Sequence, residues 1–138
     1  MKIKVLLVMP GKEVELVKIP ANTKFLKSFI GENLLRIRLN KNNILIANRD
    51  ANLDEFNRIV KGNVILGTFI IVSTKKQHRI SMKKKDIRKF TNMFKLRKHQ
   101  KRIEQYKEEY LEDYYYKQRI RKLENRKRNK EIMFKLAA

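Results

Sequence analysis

Between residues 86 and 135 the chain contains neither proline nor glycine. Structureless loops longer than about 15 residues are uncommon in compact domains, so the simplest reading of this half is one long helix or two in succession. Every strong local breaker (Pro10-Gly11, Pro20, Gly31, Gly62 and Gly67) lies in the first half. The sequence therefore divides into a punctuated domain, residues 1–94, and a helical extension, residues 95–138.

Within the first half, KIKVLLVM (2–9) is rich in β-formers and is stopped by Pro10-Gly11, a strong turn signal. EVELVKI (13–19) alternates Val14 and Leu16 with charged neighbours, as a half-buried strand does, and Pro20 ends the resulting hairpin. Asn22 or Thr23 can cap a short helix, TKFLKSFI, whose Phe25, Leu26, Phe29 and Ile30 recur at helical spacing before Gly31 closes it. LLRIRL (34–39), a turn at 40–43 and ILIAN (44–48) read as a second hairpin. LDEFNRIV (53–60) reads as a loop or short helix, with Asp54 and Glu55 placed to cap it over Phe56 and Ile59, and GTFIIVS (67–73) as a buried strand. The expected fold class is α+β: a small mixed or antiparallel sheet with short helices, followed by a long basic C-terminal helical extension.

Ser81 stands where an N-cap is expected, ahead of MKKKDIRKFTNMF. Helical residues turn by about 100°, which puts Ile87, Phe90 and Phe94 in one apolar stripe facing the sheet that holds Phe69 and Ile71. The same line then meets Arg97 and Lys101, so core packing is expected to end near Phe94. A rotated stripe follows at Ile103, Tyr106, Tyr110 and Tyr114, and another at Tyr116, Ile120 and Leu123. No single heptad runs through all three, which disfavours a long parallel coiled coil and predicts a kink near residues 95–100.

Three of these stretches, VLLVMPGKEVELVKI, ILIANRDANL and GTFIIVS followed by the helix ending in Phe94, carry a resemblance. Over about residues 2–94 the chain is similar to an uncharacterised family, domain of unknown function 3846, found in Firmicutes, their phages and plasmids. The resemblance implies the same order of elements and an origin in a mobile element. It implies no activity.

The net charge is +21, and it is distributed as +6 over residues 1–74, +7 over 75–94 and +8 over 95–138. Self-repulsion of that size favours a polyanionic partner, nucleic acid first and an anionic membrane surface second. Lys85, Arg88, Asn92, Lys95, His99 and Arg102 recur three and four residues apart, so they line one helix face that could track a phosphate backbone. A solvated helix face is the bland alternative. Such faces normally mix signs for support between neighbouring turns, whereas Asp86 is the one acid between residues 75 and 102. The expected binding residues are Lys84, Lys85, Arg88, Lys95, Lys98, His99, Lys101 and Arg102, with Arg126, Lys127 and Arg128 as a second patch. Tyr110 and Tyr114 are expected to pack, and Tyr115 and Tyr116 to stack on bases or hold a partner.

Other chemistry finds little support. There are no cysteines and only two histidines, His78 and His99, so no metal site is expected. No glycine-rich phosphate loop, Ser/His/Asp set or carboxylate pair is visible, and neither an enzyme nor a cofactor is expected. The apolar run at 63–73 is too short to span a bilayer, and nothing at the N-terminus reads as a signal peptide. A cytoplasmic location follows. The basic segment 119–136 could lie on an anionic membrane, but Ile120 and Leu123 sit at one end of it and Ile132, Met133, Phe134 and Leu136 at the other. The expected function is a non-enzymatic nucleic-acid-binding protein, phage- or plasmid-encoded, that recognises RNA or DNA by backbone and shape. Neither helix-turn-helix spacing nor RNA-recognition aromatics point to base reading. The alternative is an interaction module that inhibits or modulates a host or defence nucleoprotein complex. A homodimer through the C-terminal helices is a further partner to consider.

Overall fold

The computed structural model describes residues 1–52 and 54–137, with the backbone alone at 114, 117 and 130–137. Among the described residues eight strands and three helices follow one another: β1 (Lys2–Val8), β2 (Glu15–Pro20), α1 (Thr23–Phe29), β3 (Leu34–Arg38), β4 (Asn43–Asn48), β5 (Phe56–Val60), β6 (Asn63–Leu66), β7 (Phe69–Lys75), β8 (His78–Ile80), α2 (Lys84–Met93) and α3 (Leu96–Ala137). The main sheet runs β2-β1-β7-β4-β3, with β8 paired to the far end of β7, while β5 and β6 form a separate ribbon. Every pairing is antiparallel. The class is α+β.

The centre of the sheet explains the run Phe69–Val72, which is apolar at consecutive positions. β7 lies between β1 and β4 and is buried on both faces. On one face Leu6, Val8, Leu45, Ala47, Phe69 and Ile71 pack with Val60 and Ile65 of the ribbon and with Phe90 and Phe94. On the other, Val5, Leu7, Ile46, Ile70 and Val72 pack with Leu26 and Ile30 at α1. The expected burial of Ile87, Phe90 and Phe94 beneath the sheet is observed, with Ile87 half-buried. Asn22 caps α1, its Oδ1 accepting from Phe25 N–H at 2.7 Å. Gly31 follows, at φ +152°, where a Cβ would sit 2.6 Å from the Asn48 side chain. Only glycine lets the chain turn there into β3.

Two local expectations are corrected. Residues 56–60 are strand, not loop or helix, and Asp54 and Glu55 cap nothing over Phe56 and Ile59 (Leu53 lies outside the described residues). The turn joining β5 to β6 has positive φ at Lys61 (50°) and Gly62 (79°), the geometry of a tight two-residue hairpin without its usual Asn-Gly signal. Ser81 is not the cap of α2, whose N-cap is Lys83 with no side-chain bond. The Ser81 hydroxyl instead accepts from Lys4 N–H at 3.0 Å, tying the end of β8 to β1.

The helix break lies at Phe94–Lys95, at the near edge of the expected window. It resets the helical phase, so that His99 and Ile103 are buried although Arg97 and Lys101 occupy the old stripe. Core packing therefore does not end at Phe94. The first compact unit is Met1–Ile103, and Glu104–Ala138 forms a second.

Candidate nucleic-acid interface

The break between α2 and α3 is held by three polar side chains. Arg58, fully buried, donates from Nε to the carbonyl of Phe94 (2.9 Å), from Nη1 to Asn57 Oδ1 (3.0 Å) and from Nη2 to the carbonyl of Lys12. Burial holds its guanidinium below the usual arginine value, and the nearby Glu13 charge partly offsets this. Glu13 Oε1 accepts from Leu96 N–H at 2.7 Å, supplying the first turn of α3 with a negative partner. His99 is the third, and here the expectation of a phosphate donor is corrected. Its Nδ1 accepts from Ile59 N–H (3.2 Å), and its Nε2 lies 2.9 Å from the Met93 carbonyl. A backbone N–H can only donate and a carbonyl can only accept, so the neutral Nε2–H tautomer is required. The ring also stacks on Phe94 at 5.8 Å and offers solvent no free nitrogen.

With one side of both helices committed to the core, the other is cationic. Lys84, Lys85 and Arg88 on α2 and Lys98, Lys101 and Arg102 on α3 are all exposed. Lys98 Nζ donates to Asn92 Oδ1 (3.1 Å), linking the two helices across the break. Lys89 Nζ lies 5.6 Å from the ring centroid of Phe90, covering the edge of the core. Lys95 is half-buried and lines a shallow depression with Glu13, which makes it the least available of the expected cations.

A second basic region was not anticipated. A cleft of about 570 Å³ opens on the α1 side of the sheet, bordered by Arg36, Arg38, Lys41, Lys76 and Arg79. Half-buried Ile44 and the buried Ile46 and Val72 form its floor, and no carboxylate among the described residues lines it. Register explains the gathering: Arg36 is opposite Ile46, Arg38 opposite Ile44, Ile44 opposite Val72 and Thr74 opposite Arg79, so these side chains share one face. The alternation Arg36, Arg38 was the local signal of a polar face. Nothing local joins it to residue 79.

In the second unit Arg126, Lys127 and Arg128 are exposed, as are Tyr115 and Tyr116, while Tyr106 and Tyr110 are half-buried. The side chains of Tyr114 and of Ile132, Met133, Phe134 and Leu136 lie outside the described ones. Tyr115 and Tyr116 share a shallow hollow with Glu109, Glu112, Asp113 and Arg119, a setting of mixed charge in which carboxylates outnumber the cation.

Among the described residues no group of three His, Asp or Glu side chains could hold a metal ion, and no helix is long and apolar enough to cross a membrane. The model of a family described as Domain of unknown function (DUF3846) matches residues 1–95. No curated protein and no solved structure matches the chain.

Proposed function

The chain belongs to the domain-of-unknown-function 3846 family through residues 1–95, and we propose that it is a non-enzymatic nucleic-acid-binding protein that contacts the phosphate backbone. The observation that carries this reading is the helix pair at the break. Six cations are exposed, Lys84, Lys85 and Arg88 on α2 and Lys98, Lys101 and Arg102 on α3, while Phe90 on the one helix and His99 and Ile103 on the other are buried. Cations on a rigid element keep their spacing and lose little freedom when they meet phosphates, and the counterions they displace add to affinity. The reading is of backbone, without base specificity.

The test compares two variants of equal net charge. In one, Lys85, Arg88, Lys98 and Arg102 become Glu; in the other, Lys2, Lys12, Lys18 and Lys27, all exposed elsewhere in the same unit, become Glu. The first should lose binding to a labelled oligonucleotide at low salt far more than the second. Equal losses would mean that net charge alone is at work.

A second reading has one observation in its favour. Exposed Tyr115 and Tyr116 beside Glu109, Glu112 and Asp113 suit a protein partner, since tyrosine is favoured at protein interfaces. On that reading the second unit engages a host or defence complex. A stoichiometric protein band that copurifies with the wild type and is lost on Tyr115→Ala/Tyr116→Ala supports it.

A further inference from the structure

We infer that the cleft between β3 and β8 is the seat of a single nucleic-acid strand, whose phosphates lie between the cations of its two rims. The inference rests on the nucleic-acid reading above and adds a site that the helix face does not contain.

Charge is the first argument. Protein surfaces ordinarily intersperse both signs. Here five cations from β3, from the turn after it and from the β7–β8 hairpin converge on one concavity with no carboxylate among the described residues. Arg79 is held in place: its Nη1 donates to the Ala21 carbonyl (3.1 Å) and to Thr23 Oγ1 (3.2 Å). A guanidinium carries five donors, so those two bonds leave capacity for an anion. Burial lowers the Arg79 pKa, and the Arg36 charge lowers it further. The two guanidiniums therefore repel each other across the cleft, and a phosphate between them turns that repulsion into two forked, charge-assisted contacts.

Shape is the second. A duplex carries its phosphates on two ridges of a stiff rod and can rest only across the rim. A single strand can descend to the floor, where half-buried Ile44 offers aliphatic contact to a sugar. Among the described residues the lining contains no aromatic ring, so bases would not stack there and the seat would tolerate any sequence. The turn at Lys76 and Gln77 is built in the left-handed region, with φ 49° and 68°. Non-glycine residues there cost about 1 kcal/mol each, and both side chains line the cleft.

Continuity is the third. An adjoining hollow, lined by Lys75, Lys83 and Lys85, shares Asn42 and Thr74 with the cleft. Lys85 also belongs to the cationic face of α2, so a strand leaving the cleft meets the helix without crossing an acidic surface other than Asp86.

The experiment removes four charges at a time. The cleft variant carries Arg36→Gln, Arg38→Gln, Lys41→Gln and Lys76→Gln, sparing Arg79 because it also holds α1. The helix variant carries Arg88→Gln, Lys98→Gln, Lys101→Gln and Arg102→Gln, and the control Lys2→Gln, Lys12→Gln, Lys18→Gln and Lys27→Gln. Each is titrated against a labelled oligothymidylate of about 20 nucleotides and a duplex of the same length at low salt. The cleft variant should bind the single strand at least about tenfold more weakly than the control, with duplex binding within about threefold of it. The helix variant should weaken both. If the cleft variant matches the control on the single strand while the wild type binds it, the cleft is not the seat and the helix reading stands. If the wild type binds neither probe, the nucleic-acid reading itself fails. Equal loss on strand and duplex overturns the strand preference, and competition by inorganic tripolyphosphate at the strand's own affinity overturns the strand as ligand. Amide chemical shifts in the unmutated protein give an independent reading: Ile44 and Thr74, both half-buried and lining the cleft, should move on adding oligothymidylate, and their silence counts against the seat.

Discussion

The Arg58 guanidinium donates to the carbonyl of Phe94, 36 residues away in sequence, at the point where α2 ends. That bond ties the terminal carbonyl of one helix to the β5–β6 ribbon, and the same side chain reaches the β1–β2 turn through the Lys12 carbonyl. The junction between the two cationic helices is thus mounted on a buried cation. The arrangement is tolerable because the charge is met by carbonyl and amide oxygens in fixed geometry.

Arg58→Ala should therefore destabilise the protein by at least about 3 kcal/mol, because it strands several buried acceptors at once. Arg58→Lys should recover little, since an ammonium cannot reproduce the fork. Urea midpoints of the three proteins decide it. A lysine variant as stable as the wild type would show that charge alone, without the planar geometry, suffices.

Phe90 is almost fully buried and Arg88, two residues before it, is exposed. Phe90→Ala should cost about 3–5 kcal/mol, the usual range for emptying a core aromatic site. Arg88→Ala should change stability by less than about 0.5 kcal/mol while weakening oligonucleotide binding. Thermal unfolding beside a binding titration separates the two faces, and the reverse pattern would mean they have been assigned the wrong way round.

His99 makes stability depend on pH. Burial lowers its pKa from 6.5, and the charges of Arg58, Arg102 and Lys98 lower it further against the opposing bond to Met93. The unfolded chain consequently binds a proton at higher pH than the folded one, so this contribution is complete above about pH 6.5 and is lost as pH falls toward the folded value. The loss is at most about 1.4 kcal/mol per pH unit. Urea unfolding at pH 7.5 and 5.5 should show the drop in the wild type and a smaller one in His99→Gln. An identical drop in both would place the titration elsewhere.

Binding through phosphates is salt-dependent. Engagement of about six phosphates predicts a slope of log affinity on log salt near −4 to −5. Fluorescence anisotropy over a range of salt concentrations measures it. A flat profile would move the weight to the protein-partner reading.

Local pattern determined much of this protein. The two hairpins, the Asn22-capped helix, the double-sided burial of β7 and the stripe Ile87, Phe90, Phe94 all follow from periods and caps that span a few residues. Lys85, Arg88 and Arg102 were legible as exposed cations in the same way, although the break at Phe94–Lys95 interrupts the single face on which their spacing placed them. Three things were decided only by tertiary structure. Asn57 and Arg58 look unfit for a buried strand until the carbonyls of Val8, Gly67, Lys12 and Phe94 arrive to satisfy them. His99 reads as a surface donor until the helix break turns it toward Ile59 and Met93. Arg36 and Arg79 become neighbours only because β7 pairs with β4 on one side and β8 on the other. The physical reason is common to all three: a polar side chain's burial and charge environment depend on partners that distant segments supply, and hydrophobic periodicity carries no record of those partners.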